Sequence, residues 1–204
     1  MSGCDCHIEI EHQEQRRTLM LLLAINAVMF CMEFVIGMMG QSTGLIADAV
    51  DMLADALVYG VGLYAVGKAS KIKIRAAHIS GVFQIILALG VLADVLRRYL
   101  FGSEPESLLM MVFGLLALGA NIWCLMLIAK HRHGEIHMRA SWIFSKNDVI
   151  ANVGVIFAGA MVYLLDSHLP DLLIGFAIAL FVIRGGRAII KEASKEKNEI
   201  IGHG

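Results

Sequence analysis

Three aspartates lie within one segment of the chain that is otherwise apolar enough to cross a membrane. Asp48, Asp51 and Asp55 fall in residues 45–66, and a helix places them within about 60° of one another on one face. A charged side chain at the centre of a bilayer costs at least about 2.5 kcal/mol. Three carboxylates on one face therefore need a positive partner. A metal cation or a proton moving through the membrane is the simplest one.

A second polar cluster interrupts the apolar residues 140–165. Asp148 and Asn152 are one helical turn apart and share a face, with Ser145 one turn earlier. Asn147 is adjacent to Asp148 in the chain, about 100° away around the helix. Oxygen ligands from two helices can surround one divalent ion. The two clusters together predict a cation site between two membrane helices.

Two other groups of residues have the side chains that bind soft or borderline cations. They are a loop with three histidines and an N-terminal Cys-x-Cys-His sequence, comprising His131, His133, His137, Cys4, Cys6 and His7. Histidines solvated at the lipid headgroups are the simpler interpretation of the loop. Transient capture of a metal in the cytoplasm is the alternative for both groups.

The first apolar segment carries Asn26 and Glu33, seven residues apart and so on one helix face. Hydrogen bonding between helices explains both residues, and a position on a proton or ion route is the alternative. Glycines around the following turn predict close approach of helices; they are Gly37, Gly40 and Gly44.

Two further patterns predict structure rather than chemistry. Asp94 lies one turn from Arg97 and Arg98, which predicts a local ion pair. Residues 172–190 are apolar until their last part, which predicts a scaffold helix.

Composition places these clusters in an all-α membrane protein. Of 204 residues, 58% are hydrophobic and 17% charged, against about 45–50% apolar and about 25% charged in a soluble domain. The net charge of −1 gives no basis for nucleic-acid binding. A membrane-spanning helix needs about 20 apolar residues, and six segments qualify: 19–39, 45–66, 79–96, 108–128, 140–165 and 172–190.

The distribution of Lys and Arg predicts the orientation of these spans. Both termini and the second and fourth connections carry most of the basic residues, and basic residues mark the cytoplasmic side. Both termini are therefore predicted to be cytoplasmic. The predicted organisation is a cytoplasmic Cys/His segment over residues 1–16, a six-helix transporter domain over 17–193 and a short tail over 194–204.

Several of these features together resemble the cation diffusion facilitators. The likeness covers residues 15–193, and it rests on six spans with cytoplasmic termini and on the sequences Ser42–Asp48 (STGLIAD), Asp51-x-x-x-Asp55 and Asp148-x-x-x-Asn152 with Gly154. The resemblance implies Zn²⁺, or Cd²⁺, Co²⁺, Fe²⁺ or Mn²⁺, bound between the second and fifth helices. It also implies export from the cytoplasm in exchange for protons, by homodimers. Asp51, Asp55 and Asp148 would be ligands.

Two departures from the family pattern change this expectation. Where the family often has His or Asp four residues before the fifth-helix aspartate, this chain has Phe144. The fourth ligand would then be Asn152, Asn147, Ser145 or water. Asp48 has no ligand role in the resemblance, and we expect it to support the ligands from behind. The second departure is the short tail, which indicates a minimal form of the family without the C-terminal cytoplasmic domain.

These features predict a transporter rather than an enzyme, with the metal as substrate, the proton as counter-ion and no cofactor. We expect a multi-pass protein of a bacterial cytoplasmic membrane, in contact with the lipid bilayer and paired as a homodimer. A passive cation channel or a membrane metal-binding protein is the alternative. An intramembrane aspartyl protease is disfavoured because the Tyr-Asp and Gly-x-Gly-Asp sequences are absent.

Overall fold

The chain folds into α-helices joined by short connections. A computed structural model describes residues 3–65, 70–129 and 136–202, without the side chains of 3–12, 15, 65, 70, 73, 136–145, 196 and 199–202. The six helices of these residues confirm the predicted all-helical class, and each overlaps one predicted apolar segment: α1 Gly3–Met39, α2 Thr43–Ala65, α3 Ser70–Phe101, α4 Ser107–Ala129, α5 Ile136–Leu165 and α6 Leu169–Gly202.

Five of these helices are long and apolar enough to cross a membrane. The candidate spans are Arg16–Met39, Ile74–Phe101, Ser107–Ala129, Lys146–Leu165 and Leu169–Lys195. α2 is also long enough, but its three aspartates make it too polar to be counted among these candidate spans. Large apolar side chains such as Val28, Leu100 and Tyr163 lie exposed on the outer surface of the bundle, as expected where lipid replaces water. The chain is a multi-pass membrane protein.

α2 occupies the centre of the bundle. The other helices pack mainly in pairs, α3 with α6 and α4 with α5, while α2 pairs with α1 and contacts all the others. Residues 42–50 of the chain are buried without interruption. The aspartates of α2 are therefore placed where they can meet side chains from several helices.

Three connections lie together at one end of the bundle, which we call the loop end: residues 40–42, 102–106 and 166–168. There the Glu106 N–H donates to the Gly40 carbonyl over 2.9 Å, and the Arg98 guanidinium donates to the Gln41 carbonyl. Arg98 and Arg97 both pair with Asp94, at 2.6 and 2.7 Å, which confirms the predicted ion pair. We call the opposite end the terminal end.

Glycines allow the helices to approach closely. A Cβ atom on Gly81 of α3 would lie 2.7 Å from the Gly186 carbonyl oxygen of α6. The predicted close approach around the first turn is also confirmed, because added Cβ atoms there would lie 2.9 Å from neighbouring side chains at Gly37, Gly40 and Gly44. These contacts fix how the helices lie around α2.

Candidate metal centre

A cavity of about 220 Å³ lies between α2, α3, α5 and α6. It is lined by the three aspartates that the family resemblance assigns as ligands, Asp51, Asp55 and Asp148, and by Asn147. Asp148 and Asp55 are 8% and 6% exposed. The structure thus brings together, inside the bundle, the carboxylates of two predicted clusters that lie about 100 residues apart in the chain.

The aspartates share this cavity because of their helical spacing and their neighbours. Asp51 and Asp55 are one turn apart on α2, and the carboxyl group of Asp55 lies beside that of Asp148 on α5. Tyr59, one turn further along α2, donates its hydroxyl to Asp55 Oδ2 over 3.2 Å. The Tyr59 side chain is 1% exposed, so this hydrogen bond holds Asp55 in one orientation.

The carboxylates line the cavity but do not converge on one position. Among the residues that the structure describes, no three His, Cys, Asp or Glu side chains converge as an assembled metal site. A divalent cation in the cavity would be attracted by carboxylates of both helices.

Asn152 and Asp48 do not line the cavity and instead contact each other. The Asn152 side-chain N–H donates to Asp48 Oδ1 over 3.1 Å and to the Asp148 backbone carbonyl over 2.8 Å. Asn152 is 0% exposed and Asp48 is 1% exposed. A ligand role for Asn152 in the cavity stays a prediction, whereas Asn147 is the amide that borders the cavity. Asp48 is buried outside the cavity lining, and its supporting role stays a prediction.

At the loop end, Asp171 fixes α6 to the start of α2. The Asp171 carboxylate accepts hydrogen bonds from the Ser42 hydroxyl at 2.6 Å and from the backbone N–H groups of Thr43 and Gly44 at 2.6 and 2.9 Å. The Leu45 N–H donates to Ser42 Oγ over 3.1 Å. The first N–H groups of a helix lack partners within it, and here they are bound by Asp171 and Ser42.

The same region is tightly packed. Added Cβ atoms would lie 2.9 Å from Ile174 at Gly44 and 2.6 Å from Ile174 at Gly154. At Gly175 an added Cβ atom would lie 2.8 Å from Thr43. α2, α5 and α6 are therefore in contact on the loop side of the aspartates.

Several predicted site residues lie outside the described part of the chain, in whole or in their side chains: Ser145, Phe144, His131, His133, His137, Cys4, Cys6 and His7. Their roles stay predictions.

Sequence reasoning missed three residues around the centre. Gln84 and Arg184 line the cavity, and Gln84 also donates its side-chain N–H to the Ala54 carbonyl over 3.1 Å. Asp171 is 0% exposed. The interpretation of α6 as scaffold alone was therefore incomplete. Only Asp171 had a sequence signal, as an acidic residue in the first turn of a helix, where carboxylates are favourable.

Comparison with known proteins identifies the type of bundle. The family model of the cation efflux transmembrane domain matches residues 19–196. The chain belongs to this family. The match includes the cavity, the aspartates of α2 and α5, and the loop-end contact of Asp171, so this cation efflux domain contains the whole candidate centre.

Curated relatives carry names of metal transporters. The zinc transporter ZitB of Pectobacterium atrosepticum is 27% identical over 208 residues, covering 91% of this chain and 62% of the relative. The cadmium, cobalt and zinc/H⁺-K⁺ antiporter of Bacillus velezensis is 24% identical over 172 residues, covering 77% and 55%. The vacuolar zinc transporter ZRC1 of Saccharomyces cerevisiae is 30% identical over 133 residues, covering 57% and 29%. The chain thus spans less than two thirds of these relatives.

Proposed function

We propose that this cation efflux domain exports a divalent transition-metal cation from the cytoplasm in exchange for protons. Zn²⁺ is the favoured substrate because zinc occurs in the names of the relatives described above. Cd²⁺, Co²⁺, Fe²⁺ and Mn²⁺ are further candidates, since a site of carboxylate and amide oxygens without His or Cys discriminates little among them.

One observation carries this proposal: a cavity inside a bundle of membrane-spanning helices is lined by three aspartates from two helices. Ionisable residues inside a membrane are costly, and they mark ion pathways by default. Asp51, Asp55 and Asp148 would bind the cation, with Asn147 as a neutral oxygen donor. Tyr59 would keep Asp55 oriented toward it.

The packing around the cavity supports alternating access. On the loop side the contact of α2 with α6 closes the bundle, whereas the cavity residues of α6, Phe181 to Ile189, lie more than about three turns from that end. Access is therefore expected from the terminal end. If all six helices cross the membrane with both termini in the cytoplasm, as the basic residues predict, this is the inward-facing state.

Coupling to protons follows from shared ligands. A metal binds the ionised carboxylates, and protons compete for the same oxygens. Opening to the loop side would expose Asp51, Asp55 and Asp148 to the protons outside, which release the cation. The name of the Bacillus velezensis relative includes both H⁺ and K⁺ as exchanged ions, which supports the proton as counter-ion. We also propose a homodimer in a bacterial cytoplasmic membrane, following the family resemblance.

Metal uptake into sealed vesicles tests this proposal. Purified protein is reconstituted with a Zn²⁺-sensitive dye inside the vesicles, and flux is measured with and without an imposed pH gradient. We expect gradient-driven flux that Asp51→Asn reduces to the level of protein-free vesicles. The matched control is Asp166→Asn, since Asp166 is an exposed residue of the loop end. Flux that is indifferent to the gradient indicates a passive channel, and binding without flux indicates a metal-binding protein.

A cytoplasmic capture role for the Cys/His residues is a separate proposal. It rests on residue types alone, in residues 1–14 and at His131, His133 and His137. Deletion of the first segment and replacement of the three histidines should lower flux at low metal concentration but not at saturation. Unchanged flux at low metal concentration would contradict it.

A further inference from the structure

A group of buried oxygen atoms beside the cavity has no hydrogen-bond donor. Within the described residues, neither Oε1 nor Oε2 of Glu33, nor Asp48 Oδ2, nor Asn152 Oδ1 has a partner. The exposed fractions of Glu33, Asp48 and Asn152 are 0%, 1% and 0%. Buried polar atoms are nearly always satisfied in native proteins, so four such oxygens on Asp48 and on the two residues that contact it require an explanation.

These oxygens form one cluster contributed by three helices. The Glu33 carboxyl group of α1 lies beside that of Asp48 on α2. Asn152 of α5 is joined to the same Asp48 by the hydrogen bond of 3.1 Å from its side-chain N–H to Oδ1. That bond uses the amide nitrogen and leaves Asn152 Oδ1 available. With both carboxyl groups ionised, the described residues offer these four oxygens no donor, and a proton on Glu33 would join its carboxyl group to that of Asp48 by a hydrogen bond.

The cluster is separate from the cavity and lies nearer the loop end. Asp48 precedes Asp51 by three residues, which is about 4.5 Å along the axis of α2. Asn152 follows Asp148 by four residues, which is about 6 Å along α5 in the direction of the loop end. Neither Asp48 nor Asn152 is among the residues that line the cavity.

Charge determines what could occupy this cluster. A proton shared by Glu33 and Asp48 leaves a charge of −1 in the cluster, and the two carboxylates carry −2 when both are ionised; either charge, if uncompensated in a low-dielectric interior, is costly. A divalent cation cancels both charges, whereas a monovalent cation leaves one uncancelled. Four oxygen ligands also equal the number that Zn²⁺ takes in protein sites.

We propose that Glu33, Asp48 and Asn152 form a second site for a divalent cation, between the cavity and the loop end. This inference rests on the proposed transport function and extends it. A cation leaving the cavity aspartates would find its next ligands one turn further along α2 and α5. The site lies on the cavity side of the Asp171 contact, so the cation would remain bound there until the loop end opens.

Binding stoichiometry tests the second site. The full chain is purified in detergent and equilibrated with Zn²⁺ by dialysis, and bound metal per chain is measured by mass spectrometry. Each variant is compared with the wild type, so any Zn²⁺ on the Cys/His residues cancels in the difference. We expect Glu33→Gln to lose one ion per chain and Asp148→Asn to lose one, with both losses adding in the double variant.

Two further variants control for folding. Glu33→Asp keeps the charge and should retain the ion with affinity lowered at least about tenfold. Ser80→Ala removes another buried atom without a partner, Ser80 Oγ, and should leave the stoichiometry unchanged. Circular dichroism and gel filtration verify that the variants fold.

The outcomes separate this inference from the proposed function. If Asp148→Asn loses an ion and Glu33→Gln loses none, the cavity binds metal as proposed and the second site is refuted. The same refutation follows if Glu33→Gln changes binding of K⁺ but not of Zn²⁺, because the cluster would then hold a monovalent ion. If neither variant loses an ion, both proposals fail.

Discussion

Replacement of Asp171 by alanine should destabilise the bundle more than any other single loss of a polar group at the loop end. The Asp171 carboxylate accepts hydrogen bonds from the Ser42 hydroxyl and from the N–H groups of Thr43 and Gly44, at 2.6–2.9 Å. Alanine would leave all three donors buried without this acceptor.

The magnitude follows from the number and type of these bonds. A hydrogen bond to a charged group contributes about 1.5–3 kcal/mol, and a buried donor left without a partner costs about 1–3 kcal/mol. The Ser42 hydroxyl can rotate toward another acceptor, so the two backbone N–H groups dominate the loss. We expect Asp171→Ala to lower the free energy of unfolding by about 3–5 kcal/mol. Asp171→Asn should cost less, because its carbonyl oxygen still accepts.

Unfolding in mixed micelles with increasing denaturing detergent, followed by circular dichroism, measures these changes. Asp166→Asn is the matched control, since Asp166 lies exposed at the same end of the bundle, and its free energy of unfolding should stay within about 0.5 kcal/mol of the wild type. A loss below about 1 kcal/mol for Asp171→Ala would show that the contact does not hold α2 to α6, and the proposed closure of the loop end would fail with it.

Three further predictions concern helix packing and the cavity. Gly81→Ala should lower the free energy of unfolding by about 1–3 kcal/mol, because the added Cβ atom would lie 2.7 Å from α6. The control is Gly90→Ala on the same helix, whose added Cβ atom has nothing within 4 Å and which should be neutral or stabilising. Equal melting of the two variants would contradict the packing. Tyr59→Phe should weaken Zn²⁺ binding about tenfold or more in titration calorimetry, because Asp55 loses the hydrogen bond from the Tyr59 hydroxyl. Unchanged affinity would show that this bond does not orient a ligand. Arg184→Gln should strengthen Zn²⁺ binding about fivefold, because it removes a positive charge that lines the cavity. Arg187 does not line the cavity, so Arg187→Gln should leave the affinity unchanged. An equal effect of both variants would indicate a general surface potential.

The sequence was sufficient to predict the helices and to place two of the aspartates that line the cavity on one helix face. Apolar segments of about 20 residues gave all six helices, and the helical period placed Asp51 and Asp55 on one face. The same period favoured Asn152 over Asn147 as partner of Asp148. In the structure Asn147 borders the cavity, because the cavity extends around α5 to an adjacent face, while Asn152 is bonded to Asp48.

Two of the three residues that could not be predicted, Arg184 and Asp171, lie on α6. A helix that is apolar on nearly all sides has no periodicity that fixes its rotation about its own axis. Neither the position of Arg184 at the cavity nor the meeting of Asp171 with the start of α2 could therefore be inferred from spacing. Contacts between helices far apart in the chain depend on close packing at positions such as Gly175, which sequence periodicity does not report.

The contact of Asp171 also sets the electric field in which the aspartates of α2 lie. An α-helix has a macrodipole equivalent to about half a positive charge at its N-terminus. In α2 this positive end lies about one and a half turns from Asp48, and it would repel a cation that approached it from the cavity. Because the carboxylate of Asp171 binds the N–H groups of that end, it offsets the repulsion, and the cation movement proposed above would not work against the helix dipole.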